Sequence, residues 1–470
     1  MIKFGTGGWR AVIGEEFTKA NVQLLCAALC TMMKEQGVAE KGICVGYDRR
    51  FLSKPAAQWF SEVCAGMHVP CLLLDREAPT PLIMFTVRQY GLPYGIAVTA
   101  SHNPAIYNGI KVFTEGGRDA AEDVTGEIER YIAEVEGKPI PAIPYAEALE
   151  QKRIQKINPF NEYIDSIMAL ADVEAIKGAH LKIALDPMYG VSRTSLQTIL
   201  LTARCEVEVI HERHDTLFGG RLPSPSLQTL GALSSFVVEN HCNLGIATDG
   251  DADRIGIIDE TGTFLHPNKI LVLLYYYLHA YRGWKGAAVR NNSTTHLLDR
   301  VAEGFGERCY EVPVGFKHIS SKMQECDALI GGESSGGLTV RGHIPGKDGI
   351  YAAALLVEMV AKTGKTLSAI YHDIEARFGT LYMVDADFTM TPARKRQLMH
   401  LLFTDKALPE FPFDIDHVSY LDGCKVYFKN GGWVICRFSG TEPLLRMCAE
   451  MPGEADAARC VELWKEFLKL

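Results

Sequence analysis

The stretch Leu244-Gly-Ile-Ala-Thr-Asp249-Gly-Asp-Ala-Asp-Arg254 decides the fold class of this 470-residue chain. Its apolar half, Leu244 to Thr248, ends abruptly in carboxylates at alternate positions, which is typical of a buried strand that delivers a polar loop. The runs Ile43 to Tyr47 and Ile183 to Leu185 have the same form, and each is followed by an aspartate. Each of these three stretches therefore predicts a short buried strand with a polar loop after its carboxyl end.

Amphipathic segments lie between these strands. Thr18 to Gln36 has apolar residues at helical spacing, a threonine cap and Gly37 after its end, so it predicts a helix with both end signals. Similar patterns cover Gln58 to Met67, Ser192 to Leu201 and Leu227 to Glu239. The alternation predicts α/β domains with parallel sheets, in which ligands bind beyond the carboxyl ends of the strands.

Composition narrows the class of protein. Hydrophobic residues make up 47% and charged residues 22%, which is ordinary for a globular protein. The 48 basic residues against 57 acidic ones give a net charge of −9, which argues against a nucleic-acid or lipid-surface partner. The longest apolar run, Ile270 to Leu278, is too short to span a membrane. We expect an enzyme that acts on a small molecule.

The cell compartment is predicted from the amino terminus and the cysteines. The first ten residues lack the apolar stretch of a signal peptide, and the 13 cysteines contain no CxxC pair. Cys26 and Cys30 lie at helical spacing in an apolar run, as core thiols do. We therefore expect reduced core cysteines, with neither a disulfide framework nor a zinc site, in a cytoplasmic protein.

The loop after Thr248 has the pattern of a cation site. Asp249, Asp251 and Asp253 are separated by small residues, so the loop can direct three hard oxygens at one ion, and Mg²⁺ suits such a site when a phosphate oxygen completes it. Glu260 stands at the twelfth position of a calcium hand, but Arg254 replaces that hand's sixth-position glycine. The aspartyl nucleophile of a phosphatase and a solvated acidic turn are the alternatives.

A serine is displayed after another apolar run. Thr99-Ala-Ser-His-Asn-Pro104 follows Gly95 to Val98 and precedes Tyr107-Asn-Gly-Ile-Lys111. Ser101 in this position can act as a nucleophile or carry a phosphoryl group. The alternative is an Asn-Pro turn whose side chains only bond the local backbone.

The segment Gly331-Gly-Glu-Ser-Ser-Gly-Gly337 is the third candidate loop. Its glycines permit close approach of a ligand, and the carboxylate of Glu333 with the hydroxyl of Ser335 suits neighbouring sugar hydroxyls. It is not a GxGxxG dinucleotide fingerprint, and a plain flexible loop is the alternative.

The segment Arg437-Phe-Ser-Gly-Thr-Glu-Pro-Leu-Leu-Arg446 is the fourth. Two arginines bracket Ser439, Gly440 and Thr441, so guanidinium groups, hydroxyls and backbone N–H groups can surround a phosphate dianion. A hairpin turn with surface arginines is the alternative.

Together the four loops supply a serine, a metal cage, a sugar reader and a phosphate clamp, which moving a phosphoryl group about a sugar requires. In this order they resemble the α-D-phosphohexomutase superfamily, which includes phosphoglucomutase and phosphomannomutase. The opening Gly5-Thr-Gly-Gly-Trp-Arg10 also resembles that family's first segment.

The resemblance implies three α/β domains and a C-terminal α+β domain around a central cleft. We place their boundaries at 1–143 with the serine loop, 144–254 with the metal loop, 255–377 with the sugar loop and 378–470 with the phosphate clamp. The first boundary lies in a proline-rich stretch.

The resemblance also implies a mechanism. A phosphorylated Ser101 gives its phosphoryl group to a sugar monophosphate; the resulting 1,6-bisphosphate reorients, and its other phosphate returns to the serine. The three aspartates and the Ser101 phosphate would hold Mg²⁺, and Arg10 would stabilise the transferred group. Lys111 would act as general acid or base if neighbouring cations lower its pKa, and His102 would hydrogen-bond beside the serine. The predicted substrate-binding residues are Arg254, Gly315, Lys317, Glu333, Ser335, His343, Lys347, Arg437, Ser439, Gly440, Thr441 and Arg446.

Substrate choice is predicted from two further stretches. His343 to Gly349 and Val312 to Lys317 resemble segments of glucose-preferring members, although Ser334 and Val314 depart from their pattern. We predict interconversion of glucose 1-phosphate and glucose 6-phosphate, primed by glucose 1,6-bisphosphate, in a monomer or homodimer. Mannose and glucosamine phosphates are the alternative substrates. A phosphatase and a noncatalytic sugar-phosphate sensor are the rival functions, although Asp253 stands where the phosphatase motif has Thr or Val.

Overall fold

The computed structural model describes residues 2–5, 7–438 and 444–470 and arranges them in four sheets, each packed against helices. Three sheets contain parallel strands, and the fourth is antiparallel. The predicted division into three α/β domains and a C-terminal α+β domain is confirmed. In the described ranges, no helix combines the length and the apolar character needed to cross a membrane.

The first domain is built on an eight-stranded sheet with the order β1-β2-β6-β5-β3-β4-β8, and β7 pairs with β6. Its strands are β1 (Phe4–Gly5), β2 (Gly8–Val12), β3 (Ile43–Tyr47), β4 (Cys71–Leu74), β5 (Tyr94–Val98), β6 (Tyr107–Thr114), β7 (Arg118–Asp119) and β8 (Ile154–Ile157). Its helices are α1 (Lys19–Glu35), α2 (Ser53–Gly66), α3 (Thr80–Gln89), α4 (Glu122–Val135) and α5 (Tyr145–Glu150). Helix α1 begins after Thr18, whose side chain accepts a bond from the Asn21 N–H, as the sequence predicts.

This sheet continues past the boundary expected at residue 143. Strand β8 pairs with β4, and α5 packs on α2, so residues 144–157 belong to the first domain. The proline-rich stretch is therefore a connection between α4 and α5 within one domain. Strands β3 and β5 are parallel neighbours, so the loops that follow them, with Asp48 and Ser101, leave the same edge.

The second domain has a five-stranded sheet with the order β10-β9-β11-β12-β13. Its strands are β9 (Lys182–Asp186), β10 (Glu206–Val209), β11 (Leu244–Thr248), β12 (Ile255–Ile258) and β13 (Phe264–Leu265). Its helices are α6 (Phe160–Leu170), α7 (Val173–Ala179), α8 (Arg193–Thr202) and α9 (Gly231–Glu239). The metal loop joins the antiparallel pair β11 and β12, so this sheet also extends beyond the boundary expected at 254.

The third domain has a four-stranded sheet with the order β15-β14-β16-β17. Its strands are β14 (Ala288–Asn291), β15 (Cys309–Val312), β16 (Ile330–Gly332) and β17 (Leu338–Val340). Its helices are α10 (Pro267–Ala280), α11 (Leu297–Gly304), α12 (Phe316–Cys326), α13 (Gly349–Thr363) and α14 (Leu367–Phe378). The apolar run 270–278 lies in α10 and is buried, and one hydrophobic core runs continuously through the first three domains.

The C-terminal domain has an antiparallel sheet with the order β18-β22-β21-β20-β19. Its strands are β18 (Tyr382–Thr389), β19 (Ile415–Ser419), β20 (Cys424–Phe428), β21 (Trp433–Phe438) and β22 (Leu444–Met451), and its helices are α15 (Pro392–Met399) and α16 (Glu454–Leu468). Helix α16 covers one face of this sheet, and together they bury a hydrophobic cluster separate from the core of the other domains.

Candidate active site

The serine loop and the metal loop meet between the first two domains. Ser101, only 1% exposed, has a φ of 52°, a left-handed conformation that is uncommon for non-glycine residues. Its Oγ donates a 2.7 Å hydrogen bond to Asp249 Oδ2, across 148 residues of sequence. His102 Nδ1 lies 3.4 Å from the same Oγ. The structure thus brings together the serine and the first metal-loop aspartate.

Arg50, which the sequence analysis missed, holds the serine loop in shape. Its guanidinium donates to four loop carbonyls, those of Ser101, Asn103, Pro104 and Tyr107, at 2.6–3.1 Å. The carboxylate of Asp48 accepts bonds from the Thr99 hydroxyl at 2.6 Å and from the Arg50 N–H at 2.9 Å. The available sequence signal was the position of Asp48 and Arg50 directly after a buried strand.

Replacing Arg50 by methionine should lower the free energy of unfolding by about 2–4 kcal/mol, because four loop carbonyls, of which that of Ser101 is buried, lose their donor and the buried Asp48 loses its charged partner. Any turnover that uses Ser101 should also fall, since the conformation of the serine turn depends on those bonds. Urea unfolding and steady-state kinetics measure both effects. Arg49→Met is the matched control, because Arg49 donates only to the Glu212 carbonyl and pairs with Glu77. Equal losses of stability and turnover in the two variants would contradict the role of Arg50 in holding the serine loop.

The three metal-loop aspartates form a compact buried cluster. Asp249, Asp251 and Asp253 are at most 1% exposed, and their carboxylate oxygens lie within 4.8 Å of one another. Lys111 Nζ is 2.7 Å from an oxygen of both Asp251 and Asp253, and Lys347 Nζ is 2.9 Å from the Asp253 oxygen. The Oδ1 atoms of Asp251 and Asp253 are buried without a hydrogen-bond partner. Unpartnered buried carboxylate oxygens fit a hard divalent cation such as Mg²⁺.

The charges of this cluster are unevenly shared. Burial and the two neighbouring carboxylates raise the pKa of Asp249 well above its usual value. At Asp253 burial opposes ionisation, but Lys111 and Lys347 outweigh it and hold the pKa well below the usual range. Burial alone would lower the pKa of Lys111, yet Asp251 and Asp253 raise it above the ordinary lysine value. The condition set for Lys111 as general acid or base, a pKa lowered by neighbouring cations, is therefore not met in this structure, since its nearest charges are carboxylates.

Two arginines and a neutral histidine surround the serine. Arg10, on β2, donates to Asn103 Oδ1 at 2.6 Å, and Arg254 Nε lies 3.9 Å from Asp253 Oδ1. Burial, and then Arg254 and Arg10, lower the pKa of His102 well below that of free histidine. An uncharged His102 ring can share a hydrogen bond with the Ser101 hydroxyl.

The sugar loop is attached to the back of the metal loop. Ile255 N–H donates to the Gly336 carbonyl at 3.1 Å, and Gly349 N–H donates to the Ala252 carbonyl at 3.2 Å. A side chain at Gly349 would meet the Arg254 carbonyl at 2.6 Å, so the close contact requires glycine. These contacts thus hold the metal loop at a fixed distance from the sugar loop and from the start of α13.

Two residues of the sugar loop are placed differently. Glu333 is 9% exposed, and its Oε1 accepts bonds from the Gly315 N–H at 3.1 Å and the Asn291 amide at 3.3 Å. Ser335 is exposed, and Lys317 forms an ion pair with Glu122 of the first domain. Glu333 therefore holds the turn at Gly315, and Lys317 just after this turn contacts the first domain.

A cavity of about 290 Å³ lies at this junction of the first and third domains. Its lining includes Gly7, Gly8, Lys111, Asp119 and Lys317. Small-molecule sites have volumes from about 300 Å³ upward, so this space is at the lower end of that range. The predicted residues Lys111 and Lys317 thus share one cavity.

His343 is not brought to this cleft. Its Nε2 lies 2.6 Å from Asp348 Oδ2, an atom that also accepts a bond from the Tyr163 hydroxyl at 2.8 Å. The other oxygen of Asp348 caps α13 through the N–H groups of Ile350 and Tyr351. The predicted contact between His343 and substrate is replaced by support of this helix cap, because the ring is buried within the protein.

The phosphate-clamp arginines lie side by side on the C-terminal sheet. Arg437 on β21 is directly opposite Arg446 on β22, and Arg446 is exposed. Arg437 Nε donates to Asp422 Oδ2 at 2.9 Å, and the Val314 N–H donates to the same oxygen at 2.9 Å. Asp422 therefore links Arg437 of the clamp to the turn at Val314 in the third domain. Ser439, Gly440 and Thr441 lie outside the described residues.

A second buried polar cluster joins the C-terminal domain to the third domain. Lys425 of β20 donates to Glu311 Oε2 and to the Asn292 carbonyl, both at 2.8 Å, and lies 3.1 Å from His296 Nε2. The His296 N–H donates to Glu450 Oε1 at 2.8 Å. These contacts fix the base of the domain that carries the clamp.

The buried histidine in this cluster should make stability pH-dependent. Burial, and then Arg290, lower the pKa of His296 to about 3. Between pH 6.5 and 3, His296 is therefore protonated in the unfolded chain and neutral in the folded chain. Stability should therefore fall as pH decreases through this window. Urea unfolding of wild type and His296→Gln at pH 7 and pH 4.5 measures the effect, which should be smaller in the variant. Identical pH dependence would contradict the burial of a neutral His296.

Comparison with known proteins assigns the family. Models of the four phosphoglucomutase/phosphomannomutase domains match this chain in order, domain I at residues 1–138, domain II at 161–262, domain III at 266–378 and the C-terminal domain at 414–465. The chain belongs to this family, a branch of the α-D-phosphohexomutase superfamily. It is therefore an enzyme of the class that transfers a phosphoryl group within its substrate.

Individual phosphohexomutases match along their whole length but differ in named substrate. A phosphoglucomutase/phosphomannomutase from Thermococcus kodakarensis is 29% identical over 99% of this chain and 98% of its own. A probable phosphoglucosamine mutase from Pyrococcus furiosus is 30% identical over 95% and 93%. The crystal structure of a candidate phosphomannomutase from Thermus thermophilus has a TM-score of 0.86 at 31% identity, covering 100% of this chain and 99% of that one. The relatives therefore agree on the family, and the hexose phosphates in their names differ.

Proposed function

We propose that this phosphohexomutase interconverts glucose 1-phosphate and glucose 6-phosphate through a phosphorylated Ser101 and a bound glucose 1,6-bisphosphate. The observation that carries the phosphoserine mechanism is the 2.7 Å bond between Ser101 Oγ and Asp249, inside a buried cluster of three carboxylates. The choice of glucose rests on the stretches His343 to Gly349 and Val312 to Lys317. A solvated acidic turn would not be buried, and a phosphatase with Asp249 as nucleophile would leave the strained, supported serine without a role.

The metal loop would hold the cation of this reaction. Asp249, Asp251 and Asp253 would bind Mg²⁺ together with an oxygen on Ser101, and the bound ion supplies positive charge to the phosphoryl oxygens. The unpartnered Oδ1 atoms of Asp251 and Asp253 support this assignment. Lys111 and Lys347 balance the carboxylate charge from the opposite side.

The residues around the serine would position the transferred group. Arg50 and Asp48 fix the turn so that Ser101 Oγ faces the metal loop. Phosphoryl transfer passes through a loose transition state, so it depends chiefly on alignment and on charge at the phosphoryl oxygens. Arg10, which is bonded to Asn103 of the serine loop, and Arg254, beside Asp253, would contribute that charge, and His102 can hydrogen-bond to the serine.

The other two loops would hold the remainder of the substrate. Glu333 and Ser335 would contact sugar hydroxyls, and Arg437 with Arg446 would bind the phosphate that is not reacting. The bisphosphate must turn end for end between the two transfers, so the same clamp receives either phosphate. Because the C-terminal domain has a hydrophobic cluster of its own and is joined to the third domain at its base, we expect it to pivot about that base as the clamp opens and closes.

The predicted hexose is tested by comparing substrates. We expect kcat/KM to be highest for glucose 1-phosphate, lower for mannose 1-phosphate and lowest for glucosamine 1-phosphate, each measured with the matching bisphosphate as primer and Mg²⁺ present. A higher value for either alternative sugar would overturn the glucose assignment but not the mutase. Release of inorganic phosphate without isomer would overturn the mutase assignment itself.

The net charge and the cysteines support the proposed partner and cellular location of the reaction. The net charge of −9 favours a free hexose phosphate as partner rather than nucleic acid or an anionic membrane. All 13 cysteines are free thiols, which supports a cytoplasmic location.

A further inference from the structure

Three thiols meet between the first two helices of the first domain, outside the candidate active site. Cys26 and Cys30 lie on successive turns of α1, and Cys64 lies on α2, which packs against it. All three are fully buried. Their sulfur atoms are 3.9 Å apart for Cys26 and Cys30, 3.5 Å for Cys26 and Cys64, and 4.0 Å for Cys30 and Cys64.

These separations have the size of a thiolate metal site. A point equidistant from the three sulfur atoms lies about 2.2 Å from each of them, which is close to the zinc–sulfur bond length of about 2.3 Å. Within the described residues, only one other group brings three His, Cys, Asp or Glu ligand atoms equally close, and it is the aspartate cluster of the metal loop. The chain thus has one compact hard-oxygen site and one compact soft-sulfur site.

The surroundings supply a further donor and exclude water. The Cys26 thiol donates a 3.1 Å hydrogen bond to the Phe60 carbonyl oxygen, which therefore lies beside the sulfur triangle. Burial raises the pKa of the thiols of Cys26 and Cys64, so without a cation both keep their protons. A site enclosed on all sides is structural, because no open position remains for a substrate.

We propose that Cys26, Cys30 and Cys64 bind one thiophilic d¹⁰ cation, Zn²⁺ or Cu⁺, which fastens α1 to α2. Binding breaks three S–H bonds and forms three metal–sulfur bonds, and the three protons leave to solvent. The cation enters while the domain folds, because the finished core offers no path, and its binding energy adds to the stability of the fold. Soft sulfur donors reject Mg²⁺, so the two sites select different ions.

The metal content of the purified enzyme tests this site. Wild type from cells supplied with zinc and copper, purified under reducing conditions and dialysed against EDTA, should retain about one zinc or copper per chain by mass spectrometry. Cys64→Ala and Cys26→Ala should lose it. Cys460→Ala, which removes a fully buried thiol from α16 of the C-terminal domain, and Asp251→Asn, which alters the oxygen site, should retain it.

A second measurement covers variants that fold poorly. Wild type refolded with one equivalent of Co²⁺ under reducing conditions should show thiolate-to-cobalt charge-transfer absorption, which carboxylate ligands do not produce, and Cys460→Ala should show the same band. The proposal is overturned if wild type neither retains metal on purification nor shows the cobalt band after refolding. It is also overturned if the folded Cys64→Ala or Cys26→Ala protein retains the same metal content as wild type.

Discussion

Ser101→Ala is expected to lower mutase turnover by roughly 10³-fold or more, because the phosphoryl group then has no oxygen to occupy between its two transfers. The substitution removes one hydroxyl and one hydrogen bond to Asp249, and the backbone turn remains held by Arg50. Fold and thermal stability should therefore stay close to those of wild type. Coupled assay of glucose 6-phosphate formation, with primer and Mg²⁺, measures the loss.

Ser166→Ala is the matched control for this experiment. Ser166 lies on α6 of the second domain, and its hydroxyl donates only to the Tyr163 carbonyl one turn earlier. Full activity in this variant would show that the loss belongs to the position and not to the type of substitution. Retention of full turnover by Ser101→Ala would instead sink the phosphoserine mechanism.

Loss of the divalent cation is expected to have the second large effect, about 100-fold or more on kcat. Without a cation, the three buried carboxylates are compensated only by cationic side chains, and Lys111 bridges two of them in this structure. Dialysis against EDTA should therefore abolish activity, and added Mg²⁺ should restore it. Asp251→Asn should lower kcat similarly and raise the Mg²⁺ concentration needed for half-maximal activity.

Asp259→Asn provides a control with a buried aspartate of the same domain. Asp259 follows β12 and accepts bonds from Thr261 and Thr263 in a turn, so its loss should affect stability more than catalysis. Activity that survives exhaustive EDTA treatment, or an Asp251→Asn variant with the wild-type Mg²⁺ requirement, would contradict the assignment of the metal loop.

Local patterns made much of this fold predictable. The run ending at Thr248 forms β11, with the three aspartates in the loop after it, and α1 begins and ends at its predicted caps. These features depend on the spacing of apolar residues and on the capping residues next to them, and both signals lie within a few positions of each other in the sequence. The order of the four loops then predicted the family.

Features that depend on distant pairing were not predictable in the same way. The domain boundaries expected at 143 and 254 were displaced because β8 pairs with β4 and β12 pairs with β11. The role of Arg50 rests on four carbonyls that lie 51 to 57 positions away. The ion pairs that raise the pKa of Lys111 join different domains, and no local pattern reveals such a contact.

The central claim, transfer through Ser101, is tested most directly by following the phosphoryl group itself. The enzyme is incubated with glucose 1,6-bisphosphate carrying ¹⁸O-labelled phosphates and with Mg²⁺, digested, and the peptide containing Ser101 is examined by mass spectrometry before and after a chase with unlabelled glucose 1-phosphate. Before the chase we expect one labelled phosphate on Ser101. After it, we expect the label in glucose 1,6-bisphosphate or glucose 6-phosphate and an unlabelled phosphate, donated by the chase sugar, on Ser101. A peptide that is never phosphorylated, or a labelled phosphate that stays on Ser101 while turnover proceeds, would contradict the account.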